Sequence, residues 1–295
     1  MRGLILLAIL SSLVLGGCAT TAKKPAVEEI AVRAYYVAFT PTGDAPPHNV
    51  AGVLRVPQGV DGKLPAVVIV HGSNGVDGRG GYHAASLNGH GIATLEIDLW
   101  AARRNFAGAG GRPKSVPETL PDAFGALKYL AGLPFIDSNR IGITGYSWGG
   151  VVSMLTATKP YADKFSRDGL RFAAHVPFYP VCWVYNTVPG YEFAQLTGAP
   201  VLLLAGADDT YDEPDTCNKL VEGLPADTRP YVSVTVYPGA THAWNMPGDA
   251  LLIVNDPFAH KGKGGEVRFQ SNPEVTEQSR VATDAFFVKA LGVKK

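Results

Sequence analysis

Two uninterrupted apolar runs, Ala66-Val-Val-Ile-Val70 and Val201-Leu-Leu-Leu-Ala205, constrain this chain more than any other feature. Each is the length of a strand, and apolar side chains at every position mean burial on both faces. A strand covered on both faces belongs to a largely parallel sheet with helices above and below. Residues 92–97, 141–144, 172–178 and the alternating 232–237 read as further strands. Helices are expected over 82–88, over 120–131, from Val151 onward, and over 273–291. In the last of these Val275, Val281, Ala285, Phe286 and Val288 are the apolar positions. Three short, turn-bounded strands near the start, at 30–39, 50–56 and 66–70, suggest an antiparallel edge. Strands alternating with helices give an α/β fold of about eight strands with helices on both faces. Catalytic groups in such sheets collect at the carboxyl ends of the strands.

The first 17 residues do not suit that core. Arg2 precedes the apolar stretch 4–10 and then 11–15, too short for a comfortable membrane span. Leu15-Gly-Gly-Cys18 resembles a bacterial lipobox, in which the cysteine becomes the lipidated N-terminus. An ordinary signal peptide is the alternative. Residues 1–17 are therefore expected to be a lipoprotein signal, 18–29 a tether and 30–295 one domain. Ala19, where an aspartate would favour the inner membrane, points to the periplasmic face of the outer membrane. With Cys18 lipidated in an oxidising compartment, Cys182 and Cys217 are left to form one disulfide or stay as two buried thiols; the disulfide is expected.

The 26 basic residues balance 26 acidic ones, and no basic tract is interleaved with aromatics. Nucleic-acid binding therefore has no electrostatic footprint.

Gly145-Tyr-Ser147-Trp-Gly149 follows the 141–144 strand and precedes a helix. Strand, sharp turn and helix is the setting that lifts a serine hydroxyl clear of the backbone as a nucleophile. A serine needs a base. Of the histidines downstream, His242 lies in a loop directly after a strand, whereas His175 lies within a strand and His260 in a Lys/Gly-rich loop. The acid is expected after the 201–205 strand: Asp208 comes first, with Asp209 the alternative. The run from Asp208 to Asp215 lacks the spacing of a calcium loop, and neither a metal nor a cofactor is expected. The oxyanion site needs two N–H donors. Trp148, next after the serine, can supply one, and Ser73 or Gly72 the other. Tyr179 and Trp244, with Trp148 and Trp183, are candidates to line an acyl or aromatic pocket.

These segments together resemble the α/β-hydrolase superfamily, and within it the dienelactone hydrolase family. Gly145-x-Ser147-x-Gly149, Gly206-Ala-Asp208 and Ala240-Thr-His242-Ala-Trp244 match its three triad segments in order. Asp98-Leu-Trp-Ala-Ala-Arg103 is similar to a segment whose arginine binds the substrate carboxylate. The resemblance gives that role to Arg103, or to Arg104 with a shift of one. Phe178-Tyr-Pro-Val-Cys182 and the segment ending in Cys217 resemble exported members, which supports the disulfide. The dienelactone enzymes have a cysteine where this chain has Ser147, and a gating glutamate where it has His71-Gly72. Both departures point to a serine ester hydrolase acting on a small ester or lactone. An exopeptidase or acyl-peptidase, and a non-catalytic envelope protein of the same fold, are the alternatives. The sequence leaves oligomeric state open, and also whether 100–117 or 251–272 forms a lid.

Overall fold

The computed structural model describes residues 30–43, 48–103 and 112–293. The signal, Cys18, the tether and Arg104 lie outside the described residues. The main sheet is built from β1 (Val32–Phe39), β2 (Val50–Pro57), β3 (Leu64–Val70), β4 (Ala93–Asp98), β5 (Ile136–Tyr146), β6 (Ala174–Phe178), β7 (Val201–Gly206) and β8 (Val232–Tyr237). Its strand order is β1-β2-β4-β3-β5-β6-β7-β8. From β3 to β8 the strands run parallel, while β2 is antiparallel to both β1 and β4. The mostly parallel eight-stranded sheet is as expected. The antiparallel edge is narrower than the sequence suggests: β3 lies in the middle of the sheet, between β4 and β5.

The helices are α1 (Gly78–Gly89), α2 (Leu120–Ala131), α3 (Trp148–Thr156), α4 (Lys159–Phe165), α5 (Thr216–Glu222) and α6 (Pro273–Ala290). The alternation of β3 shows why both faces must be covered. Ala66, Val68 and Val70 pack with residues of α2, α3 and α4, including Phe124, Val152 and Ala162. Val67 and Ile69 pack on the other side with Leu87 of α1 and Phe287 of α6. All five β3 side chains are fully buried. At about 25 cal/mol per Å² of apolar surface, each such valine or isoleucine contributes on the order of 1.5–3 kcal/mol. The buried stripe of α6 is Val275, Ser279, Thr283 and Phe287, four residues apart; Val281, expected in the core, is half exposed. Asn272 caps this helix by accepting from the Val275 N–H.

Above the carboxyl ends of the strands lies a separate two-stranded sheet, β9 (Leu251–Asp256) with β10 (Gly265–Gln270). It is fastened to the loop after β8: Gln270 N–H donates to Thr241 Oγ1, and His242 bridges to Phe269. Cys182 and Cys217 form a disulfide joining the 179–197 segment to α5.

Candidate active site

Ser147 sits between β5 and α3 with φ 52° and ψ −108°. A non-glycine residue rarely adopts that backbone, and its cost must be met by the surrounding packing. The turn is possible because its flanks have no side chains. A Cβ on Gly145 would stand 2.3 Å from the Gly149 carbonyl oxygen, and one on Gly149 would stand 2.1 Å from that of Val70. The Ser147 N–H donates to the Phe178 carbonyl, which ties the turn to β6.

His242 connects the serine to an acid. Its Nε2 lies 2.8 Å from Ser147 Oγ, and its Nδ1 lies 2.7 Å from Asp209 Oδ2. A carboxylate only accepts, so Nδ1 carries the proton and Nε2 is free to accept from the serine hydroxyl. Histidine and aspartate are both buried. The imidazole is boxed by the rings of Tyr179, Tyr211 and Phe269, with centroids 4.8, 4.6 and 5.3 Å away.

The carboxylate that meets His242 is that of Asp209, which corrects the expectation of Asp208. β7 ends at Gly206 and the chain turns through Ala207 and Asp208: the Asp208 N–H donates to the Ala240 carbonyl and its side chain is exposed. The Asp209 N–H closes that turn on the Gly206 carbonyl, and the Asp209 side chain is buried. Asp209 Oδ1 also accepts from the Tyr211 N–H. Asp212, on the same loop, accepts from the N–H groups of Cys182 and Trp183. Burial, with the Asp209 charge beside it, pushes its carboxyl up to about 7.

Trp148 and Ser73 are the residues expected to supply the oxyanion donors. Trp148 is the first residue of α3, so its N–H lacks a partner within the helix. Ser73, Trp148 and Ser147 line one cavity. His71 fixes the neighbouring peptide: its Nε2 accepts from the Leu99 N–H, and its Nδ1–H donates to the Gly72 carbonyl. That carbonyl shares a planar unit with the Ser73 N–H, so holding one aims the other. Indole Nε1–H of Trp100 and guanidinium Nη1 of Arg112 donate to the Ser73 carbonyl.

The three expected substrate contacts are corrected. Arg103 pairs with the fully buried Asp122 of α2 and donates to the Leu99 carbonyl. Asp122 is also held by His48 Nε2 at 3.0 Å. A buried carboxylate demands such partners, so the arginine is committed to the scaffold. Tyr179 is buried behind the histidine, its hydroxyl accepting from Arg79 and donating to Asn245. Trp244 is fully buried, and its Nε1–H donates to Ser279. None of the three lines the cavity.

That cavity has a volume of about 380 Å³, within the range of small-molecule sites. Its basic lining residues are Arg79, Arg112 and Lys114. Arg79 is buried and forked onto Asp77, whereas Arg112 and Lys114 are exposed at the rim. The segments 112–116 and 251–258 both contribute to the walls. Sequence reasoning misses Tyr211, Phe269 and the cavity valines, because their role depends on loops brought together only by the fold.

The dienelactone hydrolase family model matches residues 50–287. A candidate dienelactone hydrolase of Klebsiella pneumoniae subsp. pneumoniae MGH 78578 superposes with a TM-score of 0.61 at 20% identity, over 88% of this chain and 99% of that one. A dienelactone hydrolase-like promiscuous phosphotriesterase from metagenomic libraries gives 0.59 at 20% identity, over 88% and 99%. Esterase 2 of Thermogutta terrifontis, phosphorylated by paraoxon, gives 0.59 at 16% identity, over 85% and 94%. These likenesses show the α/β-hydrolase fold. No curated protein sequence matches the chain.

Proposed function

Because the chain belongs to the dienelactone hydrolase family, we propose that it is a serine-dependent carboxylic ester hydrolase acting through an acyl-enzyme on a small ester or lactone. The observation that carries this reading is the unbroken line from Asp209 through His242 to Ser147, at 2.7 and 2.8 Å. Ser147 Oγ attacks the ester carbonyl while His242 Nε2 takes its proton. Asp209 holds the imidazole in the required tautomer and stabilises its charged form. The N–H groups of Trp148 and Ser73 receive the developing oxyanion. Water, activated by the same histidine, then releases the acid. The strained backbone at Ser147 favours this over a non-catalytic scaffold, which has no use for such a turn.

The test is a stopped-flow burst of p-nitrophenol from p-nitrophenyl acetate. Ser147→Ala is expected to remove the burst and lower turnover by about 10³-fold or more. An unchanged rate in that variant would sink the reading. Paraoxon, by analogy with the Thermogutta terrifontis enzyme, is expected to phosphorylate Ser147.

We also propose that residues 1–17 are a lipoprotein signal and that Cys18 carries lipid, holding the enzyme at the periplasmic face of the outer membrane. The supporting feature is the Leu15-Gly-Gly-Cys18 sequence after a short apolar run.

A further inference from the structure

The cavity has two chemically distinct sides, and the direction of proton transfer says which part of an ester each receives. When the tetrahedral intermediate collapses, the bond from carbon to the alcohol oxygen breaks. The ester bond to Ser147 Oγ is kept, and the proton taken from Ser147 passes from His242 Nε2 to the departing oxygen. The alcohol must therefore lie on the histidine side, and the acyl group on the side away from it.

The lining residues divide in the same way. Tyr211 and Val267 pack with Val254 and Phe269 beneath the β9–β10 sheet, and Tyr211 and Phe269 touch the His242 ring. This is the alcohol side, and its lining also includes Leu252 and Phe258. Val116, Trp148, Val151, Val184, Val188 and Tyr191 belong to the other core cluster, on the α2–α3 face, and line the same cavity. They are cross-stitched: Trp148 Nε1–H donates to Thr119 Oγ1, and the Val116 N–H donates to the Tyr191 hydroxyl. Val181 alone packs with both clusters.

Resting on the serine-ester reading, we infer that the valine-walled side is the acyl site, and that the enzyme's substrates are esters of uncharged, branched or aromatic acids. Not one of the six acyl-side residues is charged. Arg103 is tied to Asp122 and Arg79 to Asp77 and Tyr179, while Arg112, over the Trp148 ring and donating to the Ser73 carbonyl, and Lys114 are exposed at the rim. A carboxylate carried past that rim, in among Val184 and Val188, would be desolvated without a partner, which is strongly unfavourable. Val184 and Val188 set the depth of the site. They stand on a segment pinned by the Cys182–Cys217 disulfide and by Asp212.

The experiment measures kcat/KM for p-nitrophenyl acetate, isobutyrate, benzoate and hemisuccinate, and for a series of alcohols esterified to one acid. Wild type is expected to favour isobutyrate or benzoate over hemisuccinate by about 100-fold or more. Val188→Phe is expected to lower the isobutyrate-to-acetate and benzoate-to-acetate ratios by about 10-fold or more, and Val184→Ala to raise them. Leu252→Ala is expected to change the ratios among alcohols and not those among acids. Hemisuccinate turned over as well as isobutyrate would overturn the inference, as would acyl ratios that follow Leu252 and ignore both valines. In either case acetate turnover persists and the ester-hydrolase reading stands. Absence of turnover with every ester, acetate included, would sink both.

Discussion

Asp208 and Asp209 are adjacent, acidic and at the end of the same strand, yet only one reaches the histidine. Successive side chains along an extended strand point to opposite sides. That rule ends with β7, so the turn after it decides which carboxylate faces inward. The strand stops at Gly206 and the chain turns through Ala207 and Asp208, which leaves Asp208 facing solvent and Asp209, closing the turn, buried against the histidine. Asp209→Asn is expected to lower kcat by about 10⁴-fold, because the imidazole would lose its tautomer. Asp208→Asn is expected to change it by less than about threefold, as a surface substitution away from the reacting atoms. Steady-state rates on p-nitrophenyl acetate for both variants check this. The serine was legible from the Gly145-x-Ser147-x-Gly149 turn after its strand, and the histidine from its place in the loop after β8. The arginine was not. Arg103 sits in a segment resembling a carboxylate-binding one, but a buried acid far along the chain, Asp122, claims it first. Nothing local announces that competition.

Among the elements, those whose side chains are wholly apolar or cleanly periodic could be read from the sequence: β3, β7, β8 and α2, with α6 legible in extent but not in its buried face. The short helices α4 and α5 pass unnoticed, because seven residues give too little periodicity to stand out. The β9–β10 sheet is invisible for a different reason. Leu251, Leu252 and Ile253 are exposed or half exposed, so their apolar character reflects no packing in the main core. Their strand pairs only with its neighbour. The irregular 179–197 segment likewise owes its shape to contacts made elsewhere. Val181 and Asn186 have positive φ, and Asp212 and the disulfide hold the segment from outside. Replacing both Cys182 and Cys217 by serine is expected to cost about 3–4 kcal/mol, given a loop of 35 residues. Equilibrium urea denaturation of the double variant against wild type measures it. A loss below about 1 kcal/mol would mean that Asp212 and packing alone hold the wall.

For the whole molecule, the proposed anchor and the described domain make separate claims. If Cys18 carries lipid, Cys18→Ala is expected to leave no acyl label after growth with an alkyne fatty acid, and to move the protein from the membrane to the soluble fraction. Labelling that survives the substitution would refute the lipoprotein reading. The direction of β1 adds a consequence. β1 runs parallel to β4, so the chain enters the sheet at the edge opposite Ser147. Residues 18–29 can span at most about 40 Å when fully stretched. If Cys18 is the anchor, the domain is held from its base, with the mouth of the cavity on the far side. Its substrates would then come by diffusion through the aqueous space rather than sideways out of the lipid, and the anchor would govern where the enzyme works but not what it accepts.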